Sequence, residues 1–428
     1  CERLAIFREW PKRHHSCPKG EQVIWIDSKL PLRRSNPSPV SAFSPCPTPF
    51  ALVVLLSVLV RSFVHHGVQS GTLAVLVTAF CVERSLQLLL RVKTFKEDTP
   101  RQPMTYPEIA RLVLGPAAET GISACLVAGQ AGACVAYQIF MARAWSRSIH
   151  FHSYNIDSVF RYQMAVLVLA PILGLICYYP NIKKLVVWAG AGAFLQVGIV
   201  IGIPIYGYFT RCSYTGLCGQ LEPFDWDAVP VTLGIAAFTM EGVFPMLAIE
   251  SCVEPSVEYG EILRLVCIVI TLMSALFGTL CAYVFGEATA SVITLNVHDI
   301  TGTIVILALS LVLMVSYPLQ LYPVTQWLRQ AMQRESVELE TKNLSLLAVV
   351  ATTCVAIFFP HFGHLLSFVG AFAFGSGGIL LPCLLYYRCF SLEAQSEKLM
   401  LGFLGVFGVL LILTGCYANM TALRPQHM

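Results

Sequence analysis

The residues able to do chemistry in this chain are few, and most of them sit in apolar surroundings. The clearest case lies in "IAAFTMEGVFPMLAIE", Ile235 to Glu250, where an apolar run carries Glu241 with Gly242 beside it and Pro245 four residues on. A charge at the centre of a bilayer costs about 2.5–3.5 kcal/mol on insertion scales, so it usually faces a cavity or a partner. Proline removes a backbone donor and clashes with the preceding turn, which breaks the helix there. Such a break is tolerated at membrane depth only where the freed backbone lines protein or a water-filled cavity. Broken spans of this kind bind substrates and coupling ions in secondary transporters. The alternative is a kinked helix in which a protonated Glu241 is satisfied by a neighbouring hydroxyl.

Two further candidates lie in other apolar runs. In "GQAGACVAYQIFMARAW", Gly and Ala at spacings of three and four permit close helix packing, and Tyr137 and Gln138 add polar groups. Tyr137 either faces the interior or anchors the helix at the interface. In "LVLMVSYPLQLYPV", Ser316 precedes Tyr317-Pro318. Its hydroxyl either joins a freed carbonyl in an ion site or repairs the backbone of a kinked helix. His361 and His364, which flank the start of another run, read as solvated interfacial histidines. The 16 cysteines show no CxxC and no Cys/His cluster with metal spacing. Cys212 and Cys218, in "RCSYTGLCGQ", either form a disulfide in an oxidising compartment or stay reduced. Asn343 ("NLS") and Asn419 ("NMT") begin glycosylation sequons. The first falls on the inner side, and the second lies too close to the last span to be used.

The elements that must position these residues follow from composition. The chain is 56% hydrophobic and 12% charged, about half the charge of a soluble domain, with mean hydropathy +0.68. A water-soluble surface cannot be built from that. The net charge of +3 gives no reason to expect nucleic acid as a partner. Apolar runs long enough for the hydrocarbon core predict spans at 50–64, 70–90, 118–142, 162–179, 185–208, 229–249, 263–285, 303–325, 344–360, 364–387 and 399–418. The first is short and carries Arg61. With the N-terminus inside, 13 basic residues fall in inner loops and 5 in outer ones, so the positive-inside rule puts the N-terminus in the cytosol. Cys212 and Cys218 then face the oxidising side. Residues 1–45 are polar, basic and Pro-rich, without a signal-peptide core, and are expected to form a disordered cytosolic tail. The membrane domain is expected over 46–420.

Several segments together resemble the amino acid/auxin permease family, from about Gly67 to Tyr417. "TYPEIARLVLGP" resembles the loop before the family's third span, and "GQAGACVAYQIFMA" that span. "AAFTMEGVFPMLAIESCVEPS" is similar to the sixth-span pattern, "AYVFGEATASVITLNV" to "GYLxFGxxTxxxITLNL", "SYPLQLYPV" to the eighth span, and "FVGAFAFGSGGILLPCLLYY" to the tenth. The resemblance implies an all-α, LeuT-type inverted-repeat bundle of about 11 helices. Repeat one would cover about 50–208, repeat two about 229–387, and an extra helix about 399–418. It implies that Phe238, Thr239, Glu241 and Gly242 hold the substrate at the sixth-span break, with Tyr137 facing them from span three. Ser316 or Glu241 would serve the coupling ion, H+ or Na+. No other cofactor is implied.

The chain departs from the family in span one, where "FALVVLLSVLVRSFVHHG" lacks the glycines and proline of "GxGxLxLPxAF". The chain starts at Cys1, and the expectation is a wrong first exon; the alternative is a diverged protein that no longer transports. The function expected is secondary active transport of neutral amino acids by alternating access, in the plasma membrane or a vacuolar or lysosomal one. The alternative is a non-transporting amino acid receptor on the same scaffold. No nucleophile–base pair in the spans points to an enzyme.

Overall fold

The structure is a computed structural model. It describes residues 60, 63, 64, 68–96, 104–148, 158–178, 182–213, 229–240, 246–250, 258–286, 293–297, 299–334, 340–359 and 362–422, with the single residues 218, 226, 244 and 289 between them. The tail expected at 1–45, Arg61, and the candidate site residues Glu241 and Gly242 lie outside the described residues.

Every regular element among the described residues is helical. Helix α1 is Val68–Lys96, α2 is Tyr106–Leu114, α3 is Pro116–Ser148, α4 is Ser158–Tyr178 and α5 is Ile182–Gly207. A π-helical turn, Tyr208–Cys212, continues α5, and Cys212 forms a disulfide with Cys218. Where one span was expected at 229–249, there are two pieces, α6 (Val229–Thr239) and α7 (Met246–Glu250). Then come α8 (Tyr259–Phe285), α9 (Asp299–Arg334) and α10 (Thr341–Phe358). The tenth span is composite: α11 (Phe362–Val369), a π-helical stretch Gly370–Leu380, and α12 (Leu381–Cys389). Helix α13 is Gln395–Ala422. Nine helices among the described residues are long and apolar enough to cross a membrane.

Local chemistry explains several boundaries. Helix α2 begins with a capping arrangement in which the Thr105 N–H donates to Glu108 Oε2 at 2.8 Å. It ends at Gly115, whose φ of 93° suits a residue without a Cβ, and Pro116 opens α3, where its missing N–H costs nothing. Helix α9 runs well past the apolar window at 303–325, because polar residues such as Gln326 and Arg329 continue the helix after the apolar pattern has ended.

Packing among the helices is reciprocal. Helix α1 packs on α8, α3 on α9 and α4 on α10, so elements of equal rank in the two halves face each other. The cross contacts come in matching pairs: α3 meets α10 as α9 meets α4, and α5 meets α8 as α12 meets α1. Helix α1 also packs on α6. The counterpart is Phe63 of the first span, whose ring would meet a Cβ placed on Gly278 of α8 at 2.8 Å. Two repeats related by a twofold axis produce this pattern, and an odd number of spans per repeat inverts the second. Val60, Phe63 and Val64 are all buried, so this part of the divergent first span belongs to the core.

Candidate functional site

The site is centred on the gap between Thr239 and Met246. Helix α6 closes with the Thr239 hydroxyl donating to the Ala236 carbonyl at 2.6 Å and the Met240 N–H donating to the Ala237 carbonyl at 3.2 Å. Phe238 and Thr239 are buried at this end. Phe238, before the interruption, and Phe244, within it, both pack on Phe374 of the π-helical stretch, with ring centroids 5.4 and 5.0 Å away. Phe244 occupies a slot between glycines: a Cβ on Gly129 of α3 would stand 3.1 Å from its ring, and one on Gly377 would stand 3.0 Å from it.

Helix α3 supplies the facing wall. Tyr137 is fully buried, which removes the interfacial-anchor reading. Gln138, the next residue, donates from Nε2 to Tyr317 Oη at 3.0 Å, with Thr353 and Thr352 hydroxyls at 3.3 and 3.4 Å. Tyr317 Oη and Thr352 Oγ1 are 2.6 Å apart. Gln130, two turns before Tyr137, is 6% exposed, and its Oε1 accepts no hydrogen bond. A buried polar group in that state costs about 1–3 kcal/mol. On α9, the buried Ser316 donates to the Val312 carbonyl at 2.7 Å, one turn back along the helix. This spends the hydroxyl proton and leaves the oxygen lone pairs for an incoming donor or cation.

Charged residues among the described ones tie α1 to α7 and α8. Glu83 of α1 is buried and pairs with Arg84 at 3.0 Å and with Arg264 of α8 at 3.4 Å. Gln87 Nε2 donates to the Gly260 carbonyl at 2.9 Å, and Lys93 pairs with Glu250 of α7. The sequence reading passed over Glu83 and Arg84, although the rule that singled out Glu241, a charge inside an apolar span, applies to them equally. It also passed over Gln130, Tyr317, Thr352 and Phe374. Among the described residues, no group of three His, Cys, Asp or Glu side chains is placed to hold a metal.

The second sequon is closed by packing. Asn419 is fully buried; its Nδ2 donates to Ser367 Oγ at 2.9 Å and to the Gly415 carbonyl at 2.7 Å. Its Oδ1 is 3.0 Å from His364 Nδ1. His364 is therefore half-buried and bonded to its neighbour, not simply solvated as expected.

Comparison with known proteins bears on this arrangement. Amino acid transporter AVT3A of Arabidopsis thaliana is 25% identical over 319 residues, 73% of each chain. Amino acid transporter ANT1 of the same plant is 25% identical over 380 residues, 81% of this chain and 85% of that one. Proton-coupled amino acid transporter-like protein pathetic of Drosophila melanogaster is 24% identical over 340 residues, 75% of this chain and 71% of that one. The family model described as transmembrane amino acid transporter protein matches residues 55–421. The chain therefore belongs to the transmembrane amino acid transporter family, the relationship to which its motifs pointed.

Proposed function

We propose that this protein is a secondary active transporter of neutral amino acids, coupled to protons or sodium and working by alternating access. The observation that carries the reading is the interruption between Thr239 and Met246. The C-terminal end of α6 lies buried inside the bundle, and the negative end of a helix dipole suits an ammonium group. The described side chains that pack at the break, Phe238, Thr239, Phe244 and Phe374, are uncharged, which supports substrates with neutral side chains; Tyr137, Gln130 and Ser316 complete the described part of the proposed site. Glu241 and Gly242 complete this proposed substrate site. Glu241 takes the proton if protons drive transport; Ser316 contributes to the ion site if sodium does.

The polar links fit two bodies that rock against each other. Gln138, Tyr317, Thr352 and Thr353 tie α3, α9 and α10 together. Tyr162 Oη donates to the Ala356 carbonyl at 2.7 Å, adding α4. Glu83, Gln87 and Lys93 tie α1 to α7 and α8. Near the gap, where α3 meets the broken span, a glycine meets an aromatic ring instead, a surface without directional bonds to break. The excess of basic residues in alternate loops supports an N-terminus in the cytosol, an orientation that would put the Cys212–Cys218 disulfide on the oxidising side.

Purified protein in liposomes should take up labelled neutral amino acids when a pH or sodium gradient is imposed, and little without one. If protons drive transport, Glu241→Gln should abolish the response to the pH gradient while leaving amino acid binding in place. If sodium does, Ser316→Ala should raise the sodium concentration needed by about tenfold, the loss of one good contact. Amino acid binding without flux under either gradient would identify a receptor.

A further inference from the structure

Gln130 has a buried amide that nothing described so far uses. Its direction on α3 is fixed by neighbours of known contact. Gly129 faces the break, since a Cβ there would lie 3.1 Å from Phe244 and 3.4 Å from Phe374. Cys134 faces α9, with its Sγ 4.0 Å from the Tyr317 carbonyl. Gln138 lies further round and binds the Tyr317 hydroxyl. At roughly 100° per residue, position 130 falls between 129 and 134, and within about 20° of position 137. Gln130 and Tyr137 thus share the face of α3 turned to the space between the broken span and α9. On that face Gln130 Oε1 is buried and unbonded. Gln138 Oε1 is likewise buried and unbonded, but Gln138 lies further round the helix and its Nε2 is held by three hydroxyls of α9 and α10, which fixes its amide away from the break.

We propose that Gln130 is a specificity residue of the substrate site, accepting a hydrogen bond from the side chain of the bound amino acid. The preferred substrates are then neutral amino acids whose side chains carry an N–H or O–H donor. The inference rests on the transporter reading. Across the gap, Phe238, Phe244 and Phe374 form an aromatic cluster, and these three rings offer a side-chain donor no strong acceptor. A donor-bearing side chain satisfies the buried oxygen; an aliphatic one of the same shape leaves it unsatisfied. Sites that hydrogen-bond their substrate reject analogues lacking the group far more strongly than apolar pockets reject a missing methylene.

The test uses near-isosteric pairs, asparagine against leucine and threonine against valine, taken up by the full-length protein in liposomes under an imposed gradient. The wild type should favour the polar member of each pair by about tenfold or more in kcat/KM. Gln130→Met, close to Gln in volume, should bring the ratio toward one by raising KM for the polar member, with leucine and valine uptake retained. Gln130→Asn should keep part of the preference, which shows that the amide and not the packing is responsible. Equal ratios in wild type and Gln130→Met would overturn the proposal and leave Gln130 Oε1 as the seat of a bound water. Equal loss of all four substrates in both variants would also overturn it, as a packing role. If the wild type takes up no amino acid under either gradient, the transporter reading fails and this proposal fails with it.

Discussion

Tyr106 Oη donates to the Gly377 carbonyl at 2.5 Å, across 271 residues of sequence. Gly377 lies in the π-helical stretch of the tenth span, and side-chain donors can satisfy backbone groups freed by such local adjustments in membrane helices. The hydroxyl therefore couples the loop helix α2 to the segment that carries Phe374. Tyr106→Phe removes the donor and should lower stability by about 1–3 kcal/mol, read as a lower unfolding temperature in detergent. Burial pushes the Tyr106 hydroxyl well above its ordinary range. With the folded value raised, the bond's contribution is fully present below the unfolded tyrosine value of about 10 and lost only above it. The difference between wild type and Tyr106→Phe should accordingly stay constant across the working pH range of transport; a difference that shrinks on acidification would point to another origin. That a tyrosine stands at position 106 is plain from the sequence. Its partner is not, because nothing local to "TYPEIARLVLGP" specifies a carbonyl so far along the chain.

At the scale of elements, the glycine-rich tenth span is where shape matters most. A Cβ on Gly370 would overlap the carbonyl oxygen of Gly234, and one on Gly234 would overlap the carbonyl oxygen of Ser367. Helix α6 and the tenth span therefore cross in direct backbone contact, close to the end of α6 where the proposed site begins. Backbone at that distance cannot yield as a side-chain tip can, so Gly370→Ala should cost more than the about 1–3 kcal/mol typical of overpacking. Loss of the monodisperse peak in size-exclusion chromatography would register it, and an Ala variant of normal stability and activity would show that the two helices can part. The glycines of "SFVGAFAFGSGGILLP" read as packing residues from sequence. The π-helical turns among them did not, since an extra residue in a turn leaves no mark on composition or periodicity.

Across the whole molecule, polar links among the described residues join α3, α4, α9 and α10 to one another, and α1 to α7 and α8. The pair between buried Lys93 and Glu250 joins the end of α1 to α7. Glu250→Gln leaves the Lys93 charge in place with that partner neutralised, which should destabilise the protein by about 3 kcal/mol. Lys93→Met combined with Glu250→Leu should recover much of the loss, because an apolar pair removes both buried charges. Thermal unfolding of the three proteins in the same detergent would distinguish a stabilising pair from one that matters only to movement. In the latter case unfolding temperatures would match and uptake alone would change.

The sequence by itself determined the class, the spans from the second onward, and an interruption in the sixth. Apolar run length and scarce charge require helices in a membrane, and a glycine and a proline three residues apart in the sequence disfavour an unbroken sixth span wherever its neighbours lie. Those are local or compositional properties, so no tertiary information was needed. Its motifs also carried the family. Only the tertiary structure decided which polar groups are satisfied and by whom: Gln138 Nε2 by Tyr317 and two threonines, Glu83 by Arg264 at 181 residues' distance, Asn419 by Ser367, and the Oε1 atoms of Gln130 and Gln138 by none. Hydrogen-bond satisfaction is a property of surroundings, and here the surroundings are assembled from both repeats.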